Sequence, residues 1–354
     1  MNKPEMNGGT LASYRALLKS AGVALTGAAL GLLSGIPLGE LFGAALAVVI
    51  ARQTTGMPTN LPGWVLTAVQ LILGVSVGAV VKFEQLVTTM TWPAVVGLGL
   101  CLTCQMAINY WWLHAKEGWT PFESLLGAVP GAMAAILMVS ETHAKPSAKI
   151  VFSHSVRFFI LVAVAAVISW WLPIDSAAAQ APSAVFWPGL LAVLIASLLL
   201  GKLVERLGFP APYMVAALLC AAVSNSLFPD WVLHVPAMML ILATAMLGAL
   251  IGSRLAQTTL REAIRYARAG LIVTLFGLLV TVIFAWVWSH LIGSSPVVLL
   301  LAWVPGSVEA MTAVALLLGL EPVFVMVNHI VRLLILHALP VVLKSQLARV
   351  ANHS

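Results

Sequence analysis

AVPGAMAAILMVSETHAKPSAKIVFSHSVRFFIL, residues 128–161, and WVPGSVEAMTAVALLLGLEPVFVMVNHIVRLLIL, residues 303–336, align without a gap. At one offset of 175 residues Pro130 meets Pro305, Gly131 meets Gly306, Ala135 meets Ala310, His154 meets His329, Val156 meets Val331 and Arg157 meets Arg332. Matching Pro-Gly and His-x-x-Arg at a single spacing marks an internal duplication. The duplication continues upstream: LILGVSVGA, with Gly74 and Gly78, returns as AMLGALIGS, with Gly248 and Gly252, at an offset of 174, and the Pro37 break returns at Pro210. The chain is therefore read as an N-terminal tail (1–20), a first membrane repeat (21–172), a joining segment (173–185, PIDSAAAQAPSAV), a second membrane repeat (186–345) and a C-terminal tail (346–354).

With 61% hydrophobic residues, 8% charged residues and a mean hydropathy of +1.03, too little polar surface is left to clothe a soluble globule. Apolar runs of about 20 residues, each enough to cross roughly 30 Å of hydrocarbon, recur along the chain. Helices satisfy their own backbone polar groups in lipid, so the expectation is an all-α polytopic membrane protein whose main partner is the bilayer. The net charge of +6 comes from scattered short loops without aromatic interleaving, which argues against nucleic acid. Cys101, Cys104 and Cys220 fall inside apolar runs and read as packing residues. Lys3, Arg15 and Lys19 precede a first apolar run with no small-residue cleavage site before Pro37, which reads as a cytoplasmic tail and a retained helix.

Helices are expected near 21–37, 39–51, 62–81, 92–115 and 150–172, with equivalents near 186–201, 210–227, 235–252, 269–292 and 323–343. Between the fourth and last helices lie broken segments near 122–140 and 296–318, because Pro130-Gly131 and Pro305-Gly306 interrupt any continuous span. If these segments are re-entrant, each half crosses five times and the second is inserted upside down relative to the first. The basic residues then fall on the cytoplasmic side, apart from Lys82 and the intramembrane Arg157 and Arg332. If all six segments spanned, the halves would be parallel and the basic stretch Arg254 to Arg268, read as a loop, would move to the far side. The charge distribution favours two inverted-topology repeats.

Ionisable groups inside a bilayer cost roughly 2.5–3.5 kcal/mol each on insertion scales, so they face the bundle interior and a partner. Arg157 and Arg332, at matched positions, are suited to holding a carboxylate or another oxyanion, or each caps the carbonyls of its own half's broken segment. His154 and His329, three residues earlier on the same face, either relay protons or pack as satisfied polar groups. Glu309 follows Pro305-Gly306 by about one turn and its mate is Ala134, so the acid breaks the symmetry. It is the candidate coupling-ion site for H⁺ or Na⁺, or a salt-bridge partner of an arginine. Gln70 at mid-helix is a further candidate for the cavity, Gly74 and Gly78 form a small-xxx-small packing face, and Glu40 beside Pro37 reads as near an interface. No set of His, Cys or carboxylate ligands converges at helical spacing, and no nucleophile stands beside a base. Neither a metal, a cofactor nor an enzyme is expected.

The repeated Pro-Gly and x-x-Arg pattern, with LGVSVG after Gln70, resembles the AbrB family of bacterial inner-membrane proteins along nearly the whole chain. Members are labelled variously as regulators of gene expression and as ammonia monooxygenases, and are grouped with a superfamily of cation/proton antiporters and anion transporters. The resemblance implies an inverted-repeat, transporter-like fold in the inner membrane. Members often carry a second glycine after Pro-Gly, where this chain has Ala132 and Ser307. The functional expectation is a secondary transporter of a small anionic or zwitterionic solute coupled to H⁺ or Na⁺. The alternative is a membrane sensor that affects gene expression without binding DNA. Either is compatible with a homo-oligomer.

Overall fold

A computed structural model describes residues 8–35, 39–56, 61–79, 91–129, 185–209, 211–228, 233–255, 260–306 and 308–351, with ten positions from 150 to 167. Among the described residues there are twelve helices and no strand. They are α1 (Gly8–Leu33), α2 (Gly39–Thr55), α3 (Gly63–Gly78), α4 (Trp92–Ala115), α5 (Pro121–Ala128) and α6 (Trp187–Arg206), then α7 (Pro212–Leu227), α8 (Ala237–Leu255), α9 (Leu260–Ile292), α10 (Pro296–Trp303), α11 (Val308–Leu318) and α12 (Pro322–Ala351). Three segments, Trp92–Ala115, Trp187–Arg206 and Tyr266–Ile292, are long and apolar enough to cross a membrane. Their outer faces are apolar and exposed: Leu191, Ile195, Leu199 and Leu203 form one stripe along α6, and Leu271, Leu275 and Leu279 form another along α9.

The expected break in the second half is present, with α10 ending at Trp303 and α11 starting at Val308. In the first half α5 ends at Ala128, and Pro130 and Gly131 lie outside the described residues. Several helices extend beyond their expected limits, among them α12, which ends at Ala351 rather than near 343. Helix α1 starts at Gly8 rather than near 21, and α9 starts at Leu260 rather than near 269. The α9 extension, LREAIRYAR, contains neither glycine nor proline and is rich in good helix formers, so its backbone continues the helix through the stretch read as a loop.

Helices one to three of each half pack on one another across the repeat. Gly74 and Gly78 of α3 lie against the Met214 and Leu218 carbonyls of α7, while Gly248 and Gly252 of α8 lie against the Leu41 and Ala45 carbonyls of α2. The third helix of each half thus seats on the second helix of the other, through the same pair of small residues. Both seams run parallel, since the contacts rise together along the two chains. The fourth helices meet as mates and run antiparallel: Gly97 of α4 approaches Trp288 of α9, Gln105 approaches Thr281, and Trp112 approaches Phe276. Helix α3 also packs against α11 and α12, which brings the first group of helices to the second-half break.

Candidate functional site

Helices α5 and α10 begin alike. Thr120 and Ser295 are N-caps 175 residues apart, each followed by proline at the first helical position. Thr120 Oγ1 accepts from the Glu123 amide at 3.2 Å while Glu123 Oε2 accepts from the Thr120 amide at 3.1 Å, and Ser295 Oγ accepts from the Val297 amide at 3.3 Å. The two helices also end alike. The residue before a proline is pushed out of the helical region, and Val129 and Val304 have ψ of 121° and 143°.

Proline lacks an N–H, so Pro130 and Pro305 leave the carbonyls four residues earlier, Leu126 and Leu301, without their helical donors. In lipid nothing else replaces such a donor, and an unmade buried hydrogen bond costs about 1–3 kcal/mol. His154 Nε2 donates to the Leu126 oxygen at 3.1 Å, and His329 Nε2 donates to the Leu301 oxygen at 2.9 Å. The arginines take the next free carbonyls. Arg157 Nη2 donates to the Val129 oxygen at 3.1 Å, Arg332 Nη1 to the Val304 oxygen at 2.7 Å, and Arg332 Nη2 to the Gly306 oxygen at 2.5 Å. Each His-x-x-Arg pair therefore braces the end of the short helix before the Pro-Gly of its own half, and in the second half Arg332 also reaches across the break to Gly306.

All four brace residues are buried, with His329 and Arg332 fully so. A histidine that donates from Nε2 keeps Nδ1 free to accept, and His154 Nδ1 does accept from Arg157 Nη2. That arrangement requires a neutral imidazole, so a proton relay through His154 would first have to break the brace. Arg157 Nη1 is buried and makes no hydrogen bond among the described residues. Among the described residues the only ion pair joins Arg268 Nε to Glu117 Oε1 at 3.3 Å, away from the breaks.

A third side chain at the second break comes from the other half and was not singled out by the sequence. Gln105 Nε2 donates to the Trp303 carbonyl at 3.3 Å and to Thr281 Oγ1 at 2.8 Å. Thr281 in turn donates to its own helix at the Gly277 carbonyl, 2.6 Å away, so its oxygen is free to accept. The Trp303 ring is fully buried, stands edge-on to Trp288, and donates from Nε1 to Asn328 Oδ1 at 3.0 Å. One residue beyond Gln105 on α4, Met106 packs with Val129 and with Leu336, one turn from Arg332. Both chain breaks therefore reach α4 at the same level.

The remaining candidates divide. Gln70 is buried in α3, beside Val69 and Leu73 of the main core. The side chain of Glu309 lies outside the described residues, although its backbone belongs to the first turn of α11. Pro305 and Gly306 form the second break, and the Gly306 amide donates back to the Val304 carbonyl at 2.7 Å. Glu40, read as near an interface, is buried at the α2–α8 seam and accepts from Thr244 Oγ1 at 3.1 Å. Among the described residues no three His, Cys, Asp or Glu side chains converge on one point.

The sequence model of the family described as "Transition state regulatory protein AbrB" matches residues 40–347. No curated protein and no solved structure matches the chain.

Proposed function

The chain belongs to the AbrB family, and from its duplication and its two braced breaks we propose that it is a multi-pass membrane protein of two inverted repeats. In this reading it works as a secondary transporter of a small anionic or zwitterionic solute, coupled to H⁺ or Na⁺, in the bacterial inner membrane with its N-terminus cytoplasmic. The observation that carries the proposal is the meeting of the two breaks at one level of α4, with two guanidiniums inside an apolar shell. The carbonyl ends of α5 and α10 are already held by the braces, and an anion entering beside Arg157 meets a guanidinium whose Nη1 is not engaged by any described residue. Arg157 retains Nη1 for such a ligand. Glu309, present in one half only, is the group for the coupling ion.

Inversion is supported by the antiparallel pairing of the mates α4 and α9. It is supported too by the Arg268–Glu117 pair, two residues that this orientation puts on the cytoplasmic face. Single cysteines in place of Lys116 and Ser294, which flank the mates' ends, are expected to react with an impermeant maleimide from opposite sides of the membrane. Labelling of both from one side would require parallel halves.

In proteoliposomes the purified protein is expected to take up solute when an ion gradient is imposed. Replacing Arg157 with alanine should cut uptake about tenfold or more, the worth of one charge-assisted hydrogen bond. Normal uptake in both Arg157→Ala and Arg332→Ala would remove the arginines from the site. The description of the family as a regulatory protein favours a second reading, a membrane sensor acting through a partner. Absence of any uptake, together with loss of regulation when residues 254–268 are replaced, would select it.

A further inference from the structure

Asn109 stands one turn beyond Gln105 on the same face of α4, at the level where the two breaks meet. It is 1% exposed, and its Oδ1 is buried without a hydrogen-bond donor. Gln105 Oε1, turned away from Trp303 and Thr281 because its Nε2 serves both, is likewise buried without a donor. Arg157 donates to the carbonyl of Val129, whose side chain belongs to the apolar cluster that Met106 packs against, and among the described residues its Nη1 has no acceptor. One small region of an apolar bundle thus contains two orphan acceptors and one orphan donor.

Burying an amide that bonds to nothing costs more than burying a hydrocarbon of similar shape. The orphan acceptor on Asn109 is also not inherited from the duplication. Trp112 and His114 align with Trp288 and His290 at an offset of 176, which makes the mate of Asn109 an alanine, Ala285. The first half carries an amide where the second packs a methyl group, and no described residue supplies a donor to the amide oxygen.

We infer that Asn109 is a solute-binding residue: its amide oxygen accepts from a donor group of the solute while Arg157 Nη1 holds the solute's carboxylate. The solute class that fits is a small acid bearing an ammonium or hydroxyl group next to its carboxylate, rather than a plain carboxylate. Gln105 Oε1 supplies the second acceptor that an ammonium group, with its three N–H donors, can use. This assignment rests on the transporter reading and narrows it.

Alanine, lactate and propionate share a carboxylate on the same short chain and differ only in carrying an ammonium, a hydroxyl or neither. Thermal melting of the full chain in detergent is expected to rise with alanine or lactate and to stay flat with propionate, because a ligand bound only by the native state stabilises it. In Asn109→Leu the empty protein is expected to melt no lower than the parent, while the apparent affinity for the active probe weakens about tenfold or more. If Asn109→Leu does not fold, Asn109→Ala reads the same ligand shifts. Shifts retained in the variant, or propionate acting as well as the other two, would overturn the assignment to Asn109 while gradient-driven uptake in proteoliposomes remained intact. No shift with any of the three, accompanied by absent uptake, would overturn the transporter reading with it.

Discussion

Arg332→Leu is expected to destabilise the purified protein by about 2–6 kcal/mol, because it strips two buried carbonyls of their donors at about 1–3 kcal/mol each. The guanidinium reaches the Val304 and Gly306 oxygens at 2.7 and 2.5 Å from two different nitrogens, and no part of the residue is exposed to recruit water instead. Leucine fills the volume but donates nothing. Lysine keeps the charge as a single point and lacks the planar fork, so Arg332→Lys should recover about half of the loss by serving one of the two carbonyls. Arg157→Leu releases one backbone carbonyl, Val129, and should cost about 1–3 kcal/mol. Melting curves followed by tryptophan fluorescence read the order directly, since Trp303 lies between the brace and α9. Equal losses for Arg332→Leu and Arg157→Leu would mean that the two braces bear the same load, against the geometry.

The braces were half legible in the sequence. Matched Pro-Gly and His-x-x-Arg at one offset gave the duplication and the place of each break, and capping of the break carbonyls was one of two readings of the arginines. What the sequence left undivided for the histidines follows from proline's missing N–H. The carbonyl that loses its donor is always four residues earlier, and in both halves the histidine spans the same 28 residues back to it. Gln105 was hidden for a different reason. A glutamine inside an apolar run is as easily a lone packing residue, and the carbonyl it serves is 198 residues away. The burial of Glu40 was not legible, because Pro37 pointed only to a chain turn and not to the helix that covers the carboxylate. Its partner Thr244 lies across the α2–α8 seam, inside α8, and this contact holds the carboxylate in the packed interior. The long α9 shows that a run of positive charges need not mark a loop, since the helix continues through it.

The glycine seams predict the second large effect. A Cβ on Gly248 would stand 2.2 Å from the Leu41 carbonyl oxygen, and one on Gly74 would stand 2.6 Å from that of Met214. Both neighbours are backbone, which cannot swing aside as a side chain does, so Gly248→Leu and Gly74→Leu must each push two helices apart. Over-packing of this kind costs about 3 kcal/mol, the upper end of its usual range, and the gain in helix propensity of about 1 kcal/mol over glycine offsets only part of it. Gly99 of α4 provides the control, because a Cβ there meets nothing within 4 Å and Gly99→Leu should leave stability equal or higher by up to about 1 kcal/mol. The two seams have separate partners, α2 for Gly248 and α7 for Gly74, so the double variant should lose the sum of the single losses to within about 0.5 kcal/mol. A double variant no less stable than either single would show instead that opening one seam releases the other. Helix α8 also packs on α3, so such coupling would have to pass through that contact.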